Sequence, residues 1–301
     1  MKNFIIWVVV VTLAAFGIYF LTQSLSGGVS TNTTTDTESE EMTEDENQME
    51  QGNDKETLLG TSIEGNPITA YHYGNGTTTK LLFVGGIHGG YEWNTVLVAR
   101  ELMSYLESNP EVIPANVKVT VIPLLNPDGL VTTIGTTSSF TKADIPSSEE
   151  KVIAGRFNAN NVDLNRNFDC DWQESAKWQS RTVSGGGAVF SEPESQAVRN
   201  YINNHRPTAA VVFYSAANGV FASSCHNDVL PETSTITSVY SKASGYPAYQ
   251  NFDFYAVTGD MVNWLAKENI PAISVLLSTH DSPEWDKNQK GVKALLEYYA
   301  E

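Results

Sequence analysis

The chain has 301 residues, of which 41% are apolar and 18% are charged, and its net charge is −17. This length is enough for one domain with a large core or for two small ones. The excess of acidic residues argues against nucleic acid as a partner.

An uncharged apolar run, residues 4–21, follows Lys2 near the N-terminus. Its length suits a bilayer span, and no strong signal-peptidase site follows it. We therefore predict that residues 1–25 form a transmembrane anchor or signal-anchor, with the short N-terminus in the cytoplasm and the rest of the chain outside. The alternative is a cleaved signal peptide, which would make the protein secreted.

The next segment, residues 26–56, is rich in Thr, Ser, Asn, Glu and Asp and has few apolar side chains. Such a segment cannot bury enough surface to offset the entropy lost on ordering. We predict an acidic, disordered linker here, with a calcium-collecting or wall-contacting role as the alternative. A single domain follows over residues 57–301.

Strand-like apolar runs alternate with helical patterns along this domain. The predicted strands are Leu81–Gly86, Val117–Leu125, Ala209–Tyr214 and Ala272–Leu277, and the predicted helices are Trp93–Leu106, Ser191–Asn203, Val257–Lys267 and Lys290–Tyr299. Apolar runs without alternation are typical of strands covered on both faces. The pattern therefore predicts an α/β fold with a mixed, mostly parallel sheet flanked by helices. Ligands of such sheets bind outside the carboxyl ends of the strands.

His88 and Glu92 follow the first of these strands, after two glycines. An imidazole and a carboxylate suit zinc, whose catalytic sites usually have three protein ligands and a water. The alternative is a strand–helix turn in which Glu92 favours the helix N-terminus.

Asn165 and Arg166 stand together in a second polar segment. An arginine fork binds a carboxylate through two hydrogen bonds, and the neighbouring amide adds donors. The alternative is an arginine that satisfies nearby backbone carbonyls.

Cys170 and Cys225 are the two cysteines of the chain. An extracytoplasmic location permits a disulfide between them, and two buried free thiols are the alternative. A zinc site built on them is disfavoured because neither belongs to a Cys-x-x-Cys pair.

Several pieces of the domain occur in an order that resembles one family. They are GGIHGGYEWNT, NPDG, NVDLNRNFDCDW, FSEPES, and YAVTGDMVNWL followed by IPAISV. Together they resemble the zinc carboxypeptidases, the carboxypeptidase A-like metallopeptidases, over residues 57–301. The resemblance implies a single α/β domain with a central mixed sheet of about eight strands, one zinc ion, and removal of the C-terminal residue from a peptide or cell-wall peptide.

The resemblance also assigns roles to individual residues. His88 and Glu92 match the first two zinc ligands, although the family more often has His-x-x-Glu. Asn165 and Arg166 match the pair that holds the terminal carboxylate of the substrate. The remaining matches are Arg156, which resembles the arginine that stabilises the oxyanion, and Tyr255, which matches the mobile tyrosine that caps the substrate; both would bind substrate and assist catalysis. Asp260 follows shortly after, and we interpret it as a helix N-terminal charge rather than as part of a specificity pocket.

Two positions depart from the family pattern. Tyr214 stands where the family has its third zinc-binding histidine, and a phenol is a weaker ligand than an imidazole. Leu276 stands where the family has its general-base glutamate, and leucine cannot take a proton from water. His280 lies four residues further on, and we interpret it as a satisfied or exposed histidine.

These departures leave open whether the domain is an enzyme. One hypothesis is a zinc-dependent metallocarboxypeptidase with impaired or atypical activity, holding zinc weakly or not at all. The other is a non-catalytic module that binds the C-termini of peptides or cell-wall peptides.

Overall fold

The computed structural model describes residues 55–226 and 228–300. The predicted anchor and nearly all of the predicted linker lie outside these ranges. Within them, no helix combines the length and the apolar character that a membrane span needs. The first strand begins at Glu56, one residue before the predicted start of the domain.

A mixed sheet of eight strands forms the centre of the described domain. In chain order the strands are β1 (Glu56–Thr61), β2 (Pro67–Tyr73), β3 (Thr79–Val84), β4 (Val117–Ile122), β7 (Ala209–Ser215), β8 (Gly219–Ala222), β9 (Ala248–Tyr249) and β10 (Ala272–Leu277). Their order across the sheet is β1-β2-β4-β3-β7-β10-β8-β9. The central strands β4, β3, β7 and β10 are parallel to one another, so their carboxyl ends meet at one edge. A separate hairpin joins β5 (Ser175–Trp178) to β6 (Arg181–Ser184).

Seven helices surround the sheet in the described ranges. They are α1 (Trp93–Ser108), α2 (Pro127–Ile134), α3 (Glu149–Ala154), α4 (Pro193–His205), α5 (Pro231–Ser244), α6 (Met261–Lys267) and α7 (Trp285–Tyr298). Side chains of α4 and α6 pack on one face of the sheet. Side chains of α1, α5 and α7 pack on the other face. Every residue of β7 and β10 is buried because both faces are covered.

The architecture confirms the predicted α/β fold, and two helices begin four or five residues away from their predicted starts. The helix predicted from Val257 begins at Met261, because Gly259 adopts a φ of +65° that ends the preceding loop. The closing helix begins at Trp285, before the predicted Lys290. Both differences lie in the loops that surround the carboxyl edge of the sheet.

A disulfide joins Cys170 to Cys225, with a Cα–Cα distance of 6.1 Å. Cys170 follows the Asn165–Arg166 segment closely, and its carbonyl accepts a hydrogen bond from the backbone N–H of Gly259 at 2.6 Å. The disulfide thus links the segment that follows β8 to the segment that supports the loop containing Tyr255.

Candidate functional site

A cavity of about 940 Å³ opens at the carboxyl edge of the central strands. It collects residues that are far apart in the sequence. All of the residues singled out above for metal binding, substrate binding or catalysis line it: His88, Glu92, Arg156, Asn165, Arg166, Tyr214, Tyr255 and Leu276, together with Asp260 and His280.

His88 and Glu92 are positioned by the loop between β3 and α1. Gly89 in this loop has a φ of +43°, and a Cβ there would lie 2.8 Å from the carbonyl oxygens of Asn126 and Gly155. Glycine is therefore required at this position for the backbone to pass. Glu92 occupies the N-cap position of α1, but its side chain makes no capping hydrogen bond. Its carboxylate is left to face His88.

The side chains of His88 and Glu92 form a pair that fits a zinc ion. Nδ1 of His88 lies 3.0 Å from Oε2 of Glu92, and both residues are almost fully buried. Neither of these two atoms makes a properly directed hydrogen bond. Two atoms that each bind one zinc ion at about 2.0–2.2 Å lie roughly 3 Å apart. A zinc site needs ligand atoms that are close together and not occupied by hydrogen bonds. Nδ1 of His88 and Oε2 of Glu92 meet both conditions, so they can supply two of the ligands of a zinc ion.

Asp163 supports this pair, although its role was not predicted from the sequence. Its carboxylate lies 3.3 Å from Nε2 of His88 and receives hydrogen bonds at 2.8 Å from Nε and Nη2 of Arg156. A histidine that binds metal usually offers its other ring nitrogen to a carboxylate. Burial alone would raise the pKa of Asp163, but Arg156 and His88 outweigh it and hold that pKa well below its usual range. The only sequence signal was an acidic residue between the apolar Val162 and Leu164.

Arg156 crosses the site from the loop after α3. Its Nη1 lies 3.9 Å from Oε1 of Glu92, and its guanidinium stacks 4.3 Å from the ring of Trp178. Trp178 ends β5, so the β5–β6 hairpin forms one wall of the cavity. The guanidinium is thus fixed beside the candidate metal ligands.

Asn165 and Arg166 lie on a short turn directly after Asp163. Arg166 donates to the backbone carbonyls of Lys177 and Asn165 through Nε and Nη1. Asn165 accepts hydrogen bonds through Oδ1 from Tyr214 and from the backbone of Met261, both at 3.1 Å. Among the described residues, no carboxylate pairs with Arg166 and nothing accepts from Nδ2 of Asn165. Donors of both side chains are therefore available to a ligand.

Tyr214 and Leu276 lie side by side at the carboxyl ends of β7 and β10. The two strands are parallel, and these two residues are directly paired in register. The hydroxyl of Tyr214 donates to Asn165, while its ring lies 5.8 Å from that of His88. Burial, together with the negative charges of Asp260 and Glu92, raises the pKa of Tyr214 well above 10. The phenol is therefore neutral, and an apolar side chain stands next to it.

Tyr255 lies on the loop between β9 and α6, at the mouth of the cavity. It is half-buried against Phe252 and the β5–β6 hairpin. Burial raises the pKa of its hydroxyl, so it is a proton donor at neutral pH. This placement at the mouth suits a side chain that covers a bound ligand.

Asp260 lies at the N-terminus of α6, as interpreted, and it also lines the cavity. It is the N-cap residue of α6, but its side chain makes no capping hydrogen bond. The side chain lines the cavity, it is 6% exposed, and Oδ1 has no hydrogen-bond partner among the described residues. Burial raises its pKa to about 6, although Arg166 opposes this effect. The cavity therefore contains a buried carboxyl oxygen that is free to bind a cationic group.

His280, interpreted from the sequence as a satisfied or exposed histidine, has a hydrogen-bond partner and also lines the cavity. Its ring lies 4.7 Å from the ring of Tyr91 and its Nδ1 lies 2.8 Å from Oγ of Ser215, inside the same cavity. The sequence signal was weak: His280 follows the carboxyl end of β10, but the path of the loop could not be predicted.

Two characterised relatives align with most of the chain. A γ-D-glutamyl-L-diamino acid endopeptidase of Lysinibacillus sphaericus is 25% identical over 75% of the chain and 61% of its own length. A carboxypeptidase E of Caenorhabditis elegans is 23% identical over 78% of the chain and 61% of its own length. The chain thus spans about three fifths of each of these proteins.

Solved structures of two peptidase-related proteins share the fold. Murein-tripeptide amidase from Escherichia coli O157 superposes with a TM-score of 0.56 at 19% identity, covering 82% of this chain and 92% of the other. Bovine thrombin-activatable fibrinolysis inhibitor, in complex with a tick carboxypeptidase inhibitor, gives a TM-score of 0.62 at 17% identity, covering 81% and 88%. The sequence model of the zinc carboxypeptidases matches residues 54–284. With nearly the whole described domain inside this match, the chain belongs to the zinc carboxypeptidase family.

Proposed function

We propose that this domain binds the C-terminal carboxylate of a peptide or cell-wall peptide and hydrolyses the last peptide bond slowly or not at all. Asn165 and Arg166 bind the carboxylate, because their free donors face the cavity and the rest of each side chain is fixed. Tyr255 covers the bound residue from the mouth of the cavity. The guanidinium of Arg156 faces the carbonyl of the last peptide bond.

The paired Tyr214 and Leu276 carry the proposal of slow hydrolysis. Leu276 is buried in the wall of the cavity that contains the candidate metal ligands, and it offers no atom that can accept a proton. The hydroxyl of Tyr214 is bonded to Asn165 and its phenol is neutral. The two positions that supply the third ligand and the base in this family are therefore occupied here by a neutral phenol and an alkyl side chain, side by side.

His88 and Glu92 are the residues that would hold a zinc ion. Bound zinc would polarise the scissile carbonyl and a water molecule. Asp163 orients His88 from behind and keeps its ring in place. With two protein ligands where catalytic sites usually have three, the domain binds zinc weakly.

The ligand we propose carries an amino group on its terminal side chain. The carboxylate of Asp260 is buried in the cavity, and although Arg166 and Asn263 stabilise it in part, its Oδ1 has no hydrogen-bond partner among the described residues, which is costly for a buried polar atom. An ammonium group would satisfy it. Lysine and the diamino acids of wall peptides have this group, and the L. sphaericus relative is named for a diamino acid.

We further propose an extracytoplasmic location, with residues 4–21 as the membrane anchor or a cleaved signal peptide. The disulfide between Cys170 and Cys225 supports this, since disulfides persist in oxidising compartments.

The test of carboxylate binding is a titration of the purified chain with matched peptides that end in a free carboxylate or an amide. We expect Arg166→Ala to weaken binding of the free-acid peptide at least about 30-fold, because truncating a buried charged partner costs about 2–5 kcal/mol. The wild-type preference for the free acid over the amide should disappear. Arg206→Ala is the control, because Arg206 is an exposed arginine that pairs with Glu268. Equal binding of acid and amide by the wild-type chain would contradict the proposal.

Asp260→Asn tests the proposed terminal side chain. The wild-type chain should prefer a peptide ending in lysine to one ending in norleucine, and the variant should lose this preference. Because the pKa of Asp260 is raised to about 6, the carboxylate becomes charged as the pH rises through 6. Affinity for the lysine peptide should therefore increase between pH 5 and pH 7 in the wild type and stay flat in the variant.

Asp253→Asn is the control for this experiment, since Asp253 lies on the exposed loop at the cavity mouth. A lysine preference that persists in Asp260→Asn would show that another group recognises the terminal residue.

A further inference from the structure

His280 lies on the loop after β10 and reaches the cavity that holds the candidate metal ligands. Its ring packs on Tyr91. Burial lowers its pKa, and the titratable groups that act on it are Glu92, His88, Arg156 and Asp281. The imidazole is thus a neutral group placed among the residues that would surround a scissile bond.

A chain of hydrogen bonds fixes which ring nitrogen of His280 carries the proton. The side-chain amide of Asn94 donates through Nδ2 to the backbone carbonyls of Thr279 at 2.8 Å and Ser282 at 3.1 Å. Because carbonyls only accept, the amide is held in one orientation and Oδ1 of Asn94 must face Ser215.

Ser215 transmits this orientation to His280. Its hydroxyl donates to Oδ1 of Asn94 at 3.0 Å, since an amide oxygen can only accept. Oγ of Ser215 also lies 2.8 Å from Nδ1 of His280. With the serine proton already committed, Nδ1 of His280 must be the donor. The neutral ring then carries its lone pair on Nε2, for which no described residue supplies a hydrogen bond.

We propose that Nε2 of His280 is the general base for the residual peptide hydrolysis of this domain, in place of the carboxylate missing at Leu276. The inference rests on the proposed binding of a peptide C-terminus in the cavity. A water molecule gives a proton to Nε2 while its oxygen attacks the carbonyl carbon. The peptide C–N bond then breaks, and the proton on Nε2 passes to the leaving nitrogen. Asn94 and Ser215 are positioning residues that hold the ring in the required tautomer.

The test measures release of the C-terminal residue from a peptide by the full chain, using mass spectrometry. His280→Gln keeps a donor for Ser215 but cannot take the proton. We expect it to lower kcat about 100-fold, with KM changed less than about threefold. His280→Ala should lose as much, and added imidazole should restore part of the rate. His205→Ala is the control, because His205 is stacked on Tyr201 outside the cavity.

Two results would overturn the role of His280. One is a wild-type rate in both His280 variants. The other is a wild-type chain that binds the free-acid peptide but releases no residue at all. The second result leaves the proposed binding intact, whereas loss of the preference for a free carboxylate would instead overturn the proposed function. Nitrogen NMR of the full chain gives an independent reading: a proton on Nε2 and not on Nδ1 would contradict the tautomer argument.

Discussion

Replacing Tyr214 with histidine and Leu276 with glutamate together is expected to raise the release of C-terminal residues at least about 100-fold. General acid–base assistance alone is worth about 100- to 10,000-fold. The histidine adds a third ligand to His88 and Glu92, which should convert the weak zinc binding proposed above into stoichiometric binding. Both the rate and the zinc content of the purified chain are measured.

The geometry supports introducing both residues at once. The two positions are paired in register on parallel strands, and both side chains line the cavity. Neither substitution therefore requires the backbone to move. The glutamate would be buried, which raises its pKa towards neutrality and suits a base that must accept a proton. Some stability is lost, because the new histidine gives up the hydrogen bond from Tyr214 to Asn165.

The matched control is Tyr214→Phe with Leu276→Gln, which changes the same two positions without supplying a ligand or a base. It should gain neither zinc nor activity. Each single restoration, Tyr214→His or Leu276→Glu, separates zinc binding from proton transfer. If the double restoration folds and binds zinc but shows no gain in rate, position 276 is not the position of the base.

The four central parallel strands of the sheet could be predicted from the sequence, but the strands on either side of them could not. β3, β7 and β10 are continuous apolar runs because both of their faces are covered. β9 has only two residues, both exposed, and leaves no periodic signal. Helix α5 was also missed, because serine and threonine occupy many of its positions and obscure the helical pattern.

The site divides in the same way. His88 and Arg166 could be predicted because local motifs carry them, and the motifs are contiguous in sequence. Tyr214 and Leu276 could be assigned from the family resemblance, but their side-by-side pairing depends on the alignment of two strands that are separated by the whole of α5 and α6. The tautomer of His280 depends on two loop carbonyls, the amide of Asn94 and the hydroxyl of Ser215, and no sequence pattern specifies where a loop places its carbonyls.

Asp163→Asn is expected to lower the free energy of unfolding by about 3–5 kcal/mol, because it leaves the buried guanidinium of Arg156 without a charged partner. Both residues are essentially inaccessible to solvent, and two hydrogen bonds of 2.8 Å join them. The control is Asp169→Asn. Asp169 pairs with Lys267 at 2.9 Å, but both side chains are 44% exposed, so we expect a loss below about 1 kcal/mol.

The pH dependence of the free energy of unfolding is a second test of the ion pair between Asp163 and Arg156. The pKa of Asp163 is lower in the folded chain than in the unfolded chain, where it is near 4. Its contribution is therefore fully present above pH 4 and is lost as the pH falls below that value. The Asp163→Asn variant should lack this part of the acid dependence. A loss of stability no larger than that of Asp169→Asn would contradict the structural role of the pair.

Oδ2 of Asp163 accepts from Arg156, whereas Oδ1 faces Nε2 of His88. The same substitution should therefore also weaken metal binding by His88. Losing a carboxylate behind a metal-binding histidine typically costs about 10- to 100-fold in affinity. The Tyr214→His, Leu276→Glu chain is the background for this measurement, since its zinc binding is expected to be strong. The stability effect arises at Arg156 and is measured without metal, whereas the affinity effect arises at His88. A chain that loses stability but keeps its zinc affinity would show that Asp163 serves the fold alone.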